Sequence, residues 1–183
     1  MKMLAGLLLA GSLSAVSLPA GGQTPPPPPP AEAKTTASAY VKAAGMSDLY
    51  EIDSSKIAVQ KSKSPAVRRL AEMLIRHHQQ TTAATVKAAG KAGLNPPPPA
   101  LDAGHSASIA ELQSASAADF DRLYLAQQVP AHQAALDLHR SYAANGDQAP
   151  LRMSAKAAVP IVEQHLKAAQ ALQAGDHGAH KGM

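Results

Sequence analysis

The sequence has no cysteine and no tryptophan, and its aromatic content is 3%, from four tyrosines and one phenylalanine. The absence of cysteine excludes disulfides, thiolate zinc sites, iron–sulfur clusters and lipidation at a cysteine. A metal ion would therefore have to be held by histidine, carboxylate, methionine or backbone oxygen. The shortage of aromatic residues argues against a β-sandwich or barrel, and against binding single-stranded nucleic acid by base stacking.

Positive charge is present but dispersed. The chain carries 17 Lys and Arg against 13 Asp and Glu, a net charge of +4, with no basic run longer than Arg68-Arg69. A nucleic-acid partner is therefore not expected. Alanine is the abundant residue, with 40 of 183 positions. Because alanine is the best helix former, the composition predicts an all-α protein.

The two ends of the chain differ in composition from its middle. Residues 1–20 have Lys2, a short apolar core and small residues, the pattern of a secretory signal peptide and too short for a membrane span. Residues 21–37 include six consecutive prolines and are predicted to be a disordered linker. Residues 175–183 are predicted to be a disordered tail. We expect export to the periplasm, with association with the outer membrane left open.

Residues 38–174 contain four segments with helical spacing of apolar residues. Ser64 and Pro65 predict the start of the second helix. The run from Ser116 to Asp119 predicts an N-cap and an acidic first turn for the third, which contains Pro130. Gly175 is predicted to end the fourth. Residues 100–115 are ambiguous and are expected to add a short helix between helices two and three. Four helices of this length predict an up-down-up-down bundle.

Three histidines fall at similar depths in such a bundle. His78 and His165 lie on apolar stripes, and His132 lies on a second face of the third helix. At 1.5 Å per residue, these three and Glu51 lie roughly 17–25 Å from one end. We therefore predict that the three imidazoles converge on one point, as in a metal site. The other interpretation is that each is a separately hydrogen-bonded core residue.

Other residues are weaker candidates for the same site. The helical wheel places Glu51 at the edge of its stripe, so it joins only if the first helix is rotated. Asp121 and His77 are candidates for supporting contacts around the ligands. Burial in an apolar seam is expected to lower the pKa of both His78 and His165.

Several catalytic motifs are absent. Carboxylate-bridged di-iron bundles carry Glu-x-x-His twice, and no glutamate here is followed three residues later by histidine. No di-iron centre is expected. The sequence also lacks the zinc-protease motif, the nucleophile elbow and the phosphate loop, so no nucleophile can be recognised.

A set of single residues and short sequence motifs is spread along residues 38–173: Glu51, Ala71 with His78, Phe120-Asp121, Tyr124, His132 to Leu136, Pro160, His165-Leu166, Ala169 and Leu172. With these residues the sequence resembles a family of exported bacterial proteins with a ferritin-like domain of unknown function, often labelled outer membrane proteins. The resemblance implies a ferritin-like four-helix bundle. It also implies an aspartate before the helix-two histidine, where this chain has His77.

Three functional hypotheses follow. The first is a non-enzymatic exported bundle that binds a transition metal, Cu or Zn, through His78, His132 and His165. The second is a structural or envelope-stress protein without metal, which acts through an envelope protein partner. The third and weakest is a metal-dependent oxidoreductase.

Overall fold

The structure is a computed structural model that describes residues 25–180. Within that range the chain forms five α-helices and no strand, which confirms the all-α prediction: α1 (Ala37–Lys61), α2 (Pro65–Lys91), α3 (Ala103–Ser114), α4 (Phe120–Asn145) and α5 (Ala149–His180). A turn of 3₁₀ helix, Ala31–Lys34, precedes α1. None of the helices between residues 25 and 180 is long and apolar enough to cross a membrane. The predicted signal peptide, residues 1–20, lies outside the described residues.

The four long helices form a bundle in which each contacts two others. Helix α1 packs against α2 and α4, and α5 packs against the same two helices. The short helix α3 contacts α1 and α4 from the side. Its Leu112 is fully buried, so the ambiguous segment before the third long helix is a packed helix.

The core is divided along the bundle axis. One apolar cluster gathers around Tyr40, Tyr142 and Leu151, and another around Leu74 and Phe120. Five buried polar residues fall, along their helices, between the parts that belong to these two clusters: Asp48 and Glu51 on α1, His78 on α2, His132 on α4 and His165 on α5. The bundle therefore contains a buried polar layer between two apolar layers.

Capping residues set the helix boundaries that the sequence predicts. The Ser64 hydroxyl accepts a hydrogen bond from the Val67 amide at 3.4 Å, and Pro65 occupies the first turn of α2. Gly93, just past the end of α2, has a φ of +75°, which favours glycine. Asp102 caps α3 by accepting from the His105 amide at 2.8 Å.

The chain ends are more ordered than the sequence predicts. Ala33 is fully buried against α1, and the Thr35 carbonyl accepts a 3.0 Å hydrogen bond from the Asp147 amide. Lys34 forms a 2.7 Å ion pair with Asp137 of α4. The described part of the predicted linker, residues 25–37, is thus attached to the bundle by these polar contacts and by the buried side chains of Pro26, Ala33 and Ala37. Helix α5 also continues through Gly175, because an interior glycine costs a helix only about 1 kcal/mol.

Helix α1 is rotated relative to the helical wheel of its apolar residues. The wheel turns Leu49, Ile52 and Lys56 inward, but the structure leaves Leu49 and Ile52 half-buried and Lys56 exposed. The buried face instead carries Asp48 and Glu51, followed by Ser54, Ser55 and Ala58. The placement of Glu51 at an edge is therefore wrong. A stripe of hydrophobic residues cannot identify a buried face whose side chains are mostly polar.

Candidate metal centre

Three imidazoles from three helices meet in the polar layer. His78, His132 and His165 are at most 2% exposed, and one ligand-capable nitrogen from each lies within 4.8 Å of the other two. Their ring centroids are 5.6 Å, 5.0 Å and 5.4 Å apart. The structure thus brings together the three histidines that the axial-depth argument groups.

Asp48 orients His78 from the neighbouring helix. Its Oδ1 accepts a hydrogen bond from Nδ1 of His78 at 2.8 Å. Its Oδ2 accepts from the hydroxyls of Thr81 at 3.0 Å and Thr82 at 2.8 Å. Asp48 is not among the site residues predicted from the sequence, although its position three residues before Glu51 puts both carboxylates on one face of α1.

The charge on Asp48 reverses the pKa shift expected for His78. Burial alone lowers the pKa of this imidazole, but the hydrogen bond to Asp48, the charge of Asp48 and that of Glu51 together raise it. The predicted lowering of the His78 pKa is therefore wrong. The wheel reveals burial, but it gives no information about a partner on another helix.

His132 is held in one tautomer by its own helix. Its Nδ1 lies 2.9 Å from the backbone carbonyl oxygen of Gln128. Because a carbonyl only accepts hydrogen bonds, the hydrogen must be on Nδ1, and Nε2 carries a free lone pair. Burial, with a smaller contribution from the charge of His78, lowers the pKa of His132 to about 3. The ring is therefore neutral at physiological pH.

His165 is linked to a second histidine of α2. Its Nε2 lies 2.8 Å from Nδ1 of His77, and the two rings stack with their centroids 5.1 Å apart. Burial, with smaller contributions from the charges of His78, His132 and His77, lowers the pKa of His165 to about 2. His77 itself is half-buried, and it contacts the centre through His165.

Each of the three rings has one nitrogen without a hydrogen-bond partner among the described residues. These are Nε2 of His78, Nε2 of His132 and Nδ1 of His165, all of them buried. Buried polar atoms in proteins are almost always hydrogen-bonded, so three exceptions at one point need an explanation. Lone pairs directed at a common point are what an imidazole-ligated metal ion requires.

The structure places Glu51 beside this set of nitrogens. The carboxylate is 1% exposed, and its Oε1 lies 3.7 Å from Nδ1 of His132. Neither oxygen has a hydrogen-bond partner within residues 25–175. Burial raises the pKa of Glu51 to about 8; the charge of His78 opposes this shift and that of Asp48 adds to it. Glu51 is not among the groups whose donor atoms lie within 4.8 Å of one another.

Asp121 is not brought to the centre. It lies near the start of α4, eleven residues before His132, or about 16 Å along the helix axis. Its Oδ1 is buried and has no hydrogen-bond partner among the residues described. The structure therefore groups three of the predicted ligands, puts Glu51 and His77 next to them and leaves Asp121 apart.

Comparison with known families identifies the chain. Residues 22–172 match the family DUF4142, described as a domain of unknown function. The chain belongs to the DUF4142 family. This membership confirms the predicted resemblance to a helical family of unknown function. No curated protein shows significant sequence similarity to this DUF4142 chain.

Solved structures of CopM resemble this DUF4142 protein. The Cu(II)-bound form shares 19% identity over 76% of this chain and 97% of CopM, with a TM-score of 0.66. The Cu(I)-bound form has a TM-score of 0.65 at 19% identity over 76% of this chain and 96% of CopM. The Ag-bound form has a TM-score of 0.63, with the same identity and coverage as the Cu(I)-bound form. At this identity the similarity establishes a shared helical fold.

Proposed function

We propose that this protein is exported to the periplasm and binds one copper ion per chain through His78, His132 and His165. The observation that carries the proposal is the presence of three buried, unpartnered ring nitrogens from the three residues whose donor atoms lie within 4.8 Å of one another. Nitrogens bound to one ion at 2.0–2.1 Å lie about 3.4–3.6 Å apart. Movements on the order of 1 Å would therefore close the site around an ion.

The donor atoms and the surrounding charges favour a divalent transition metal. Neutral imidazole suits Cu and Zn, whereas no thiolate or thioether is needed. The buried carboxylate of Asp48 can offset the positive charge of the ion, and Glu51 can do so once it releases its proton. We propose copper before zinc because CopM, which shares the fold, has been solved in Cu(II)-bound and Cu(I)-bound forms. A di-iron centre is not proposed, since the Glu-x-x-His pairs are absent.

The proposed role is binding without catalysis. Three histidines and a nearby glutamate form a compact buried donor set, and the sequence contains no recognisable nucleophile. We propose that the protein sequesters or carries the ion in the periplasm, to which the signal-peptide pattern of residues 1–20 directs it. Association with the outer membrane is not part of the proposal.

We further propose that the bundle has the ferritin-like, up-down-up-down arrangement. Residues 62–64 join α1 to α2, and residues 146–148 join α4 to α5. Connections this short usually link antiparallel neighbours. The contacts of α1 with α2 and of α4 with α5 support the same arrangement.

Copper titration of the untagged, chelator-treated protein tests the proposed function. We expect one Cu(II) per chain, with nitrogen coupling from several imidazoles in the electron paramagnetic resonance spectrum. A His132→Gln, His165→Gln double variant should lose this binding while it keeps its helical circular dichroism spectrum. The matched control, His177→Gln with His180→Gln, removes two histidines near the C-terminus and should bind normally. Absence of binding by the wild type would instead favour the structural, metal-free hypothesis.

A further inference from the structure

Four imidazoles, not three, form a connected group. His165 lies 5.0 Å from His78, 5.4 Å from His132 and 5.1 Å from His77, measured between ring centroids. Three of the four rings are buried, and His77 is half-buried. Within this group His77 is therefore the ring that reaches solvent, and His165 is the ring that joins it to the buried centre.

The two nitrogens of His165 serve different neighbours. Its Nε2 lies 2.8 Å from Nδ1 of His77, and its buried Nδ1 has no hydrogen-bond partner in the described part of the chain. Two imidazole nitrogens that bind one ion at 2.0–2.1 Å lie about 3.4–3.6 Å apart. The two facing nitrogens of His77 and His165 would therefore have to separate by roughly 0.7 Å for the pair to hold an ion in place of the shared hydrogen.

We infer that His77 and His165, which we call the outer histidine pair, capture the metal ion at the bundle surface and pass it to the buried centre. This inference rests on the proposed function, because the ion must end at His78, His132 and His165. His77 would bind the ion only on its way in and would not be a ligand in the final complex. The ion would move from the bundle surface to the buried centre.

The transfer requires a change of tautomer at His165 alone: one proton leaves Nδ1 to solvent water and one is taken up at Nε2, while His77 keeps its hydrogen on Nε2. With hydrogen on Nδ1 of His165 and Nε2 of His77, the two facing nitrogens bind the ion. With hydrogen on Nε2 of His165, that atom donates again to Nδ1 of His77, and Nδ1 of His165 becomes a ligand of the inner centre. Each neutral ring keeps one N–H throughout, so the transfer conserves protons and involves no change in oxidation state.

The substitution His77→Asn separates capture from orientation. An asparagine amide oxygen can accept the hydrogen bond from Nε2 of His165, but an amide is a poor ligand for Cu(II). The association rate constant for Cu(II) should therefore fall about tenfold or more, and by a larger factor than the affinity. His77→Asp, which supplies a carboxylate that can both accept and ligate, should retain most of the rate. Gln79→Asn, an exposed neighbour on the same helix, is the matched control.

The association rate is measured by stopped-flow mixing of the full chain with Cu(II), followed with a metallochromic indicator, and the affinity by equilibrium competition. A wild-type rate in His77→Asn would overturn the inference and leave the inner centre intact. A loss of affinity with an unchanged association rate would also overturn it, because His77 would then only orient His165. If the wild type binds no copper, the proposed function fails as well, so the two failures are distinguishable.

Discussion

The carboxylate of Asp48 and the imidazole of His78 form a fully buried hydrogen-bonded pair, joined at 2.8 Å across the interface between α1 and α2. Two threonine hydroxyls hold the other carboxylate oxygen, so the aspartate cannot rotate away without breaking three hydrogen bonds. The pair fixes which nitrogen of His78 carries hydrogen. It therefore also fixes which nitrogen can act as a ligand.

Replacing this aspartate should weaken metal binding. In Asp48→Asn the hydrogen bond to His78 can persist, but the negative charge is lost. That charge makes the imidazole a stronger ligand for a metal ion. We expect the affinity for Cu(II) to fall about 10–100-fold, as is typical when a partner of a ligating histidine is changed. Competition with a chelator of known affinity measures the effect. Asp53→Asn, at the partly exposed ion pair with Lys56, should leave the affinity unchanged; equal losses in both variants would argue against a specific role for Asp48.

The buried histidines should make the metal-free protein sensitive to acid. The pKa of His165 is about 2 in the folded state and near 6.5 in the unfolded state. Below pH 6.5 the unfolded chain therefore binds more protons, and the free energy of unfolding decreases as the pH falls. When the pH is lowered from 6.5 to 5, the free energy of unfolding should decrease in both proteins. The decrease in His165→Gln should be about 2 kcal/mol smaller than in the wild type. Urea unfolding at the two pH values measures this difference, and His177→Gln should behave like the wild type.

Glu51 should have the opposite effect on the alkaline side. Its pKa is raised from 4.5 to about 8 in the folded state, so between these values the folded protein holds the extra proton. Its contribution to stability is present below pH 4.5 and is lost as the pH rises through 8. When the pH is raised from 6.5 to 8, the free energy of unfolding of Glu51→Gln should decrease by about 2 kcal/mol less than that of the wild type. Glu72→Gln, an exposed glutamate of α2, should show no such difference; if it did, burial of Glu51 would not be the cause.

The segment before α1 should contribute to stability. Ala33 is fully buried against the bundle, whereas Ala31 in the same 3₁₀ turn is exposed. Ala33→Asp places a carboxylate in an apolar contact and should lower the free energy of unfolding by about 2–4 kcal/mol. Ala31→Asp should change it by less than about 0.5 kcal/mol. If thermal unfolding gives equal values for both variants, residues 31–34 are not part of the cooperative unit.

Local signals in the sequence predicted the long helices well. Ser64 with Pro65 marks the start of α2. Ser116, whose hydroxyl accepts a hydrogen bond from the Asp119 amide at 3.2 Å, precedes α4. Both signals were readable because capping and first-turn preferences depend only on nearby residues. The grouping of His78, His132 and His165 was also predictable. In a bundle of long helices, axial depth follows from counting residues at a fixed rise.

The features that could not be predicted depend on partners distant in sequence. Asp48 and Glu51 are buried because the second half of α1 turns polar residues inward, which the apolar residues of this helix do not indicate. The raised pKa of His78 depends on Asp48, 30 residues away. The ordering of Ala33 depends on a small contact with the bundle. The six consecutive prolines just before it predict a disordered linker instead. Each of these requires knowledge of which helix faces which.

The hydrogen bonds of Asp48, Gln128 and His77 fix the three ligating rings by contacts within the protein itself. The donor set is therefore preorganised, unlike that of a zinc finger, in which the ion supplies the energy of folding. Removing copper with a chelator should then leave helix content intact and alter only the transition temperature, through mass action. Under the proposed function, the chain would fold in copper scarcity and bind the ion only when the metal arrives.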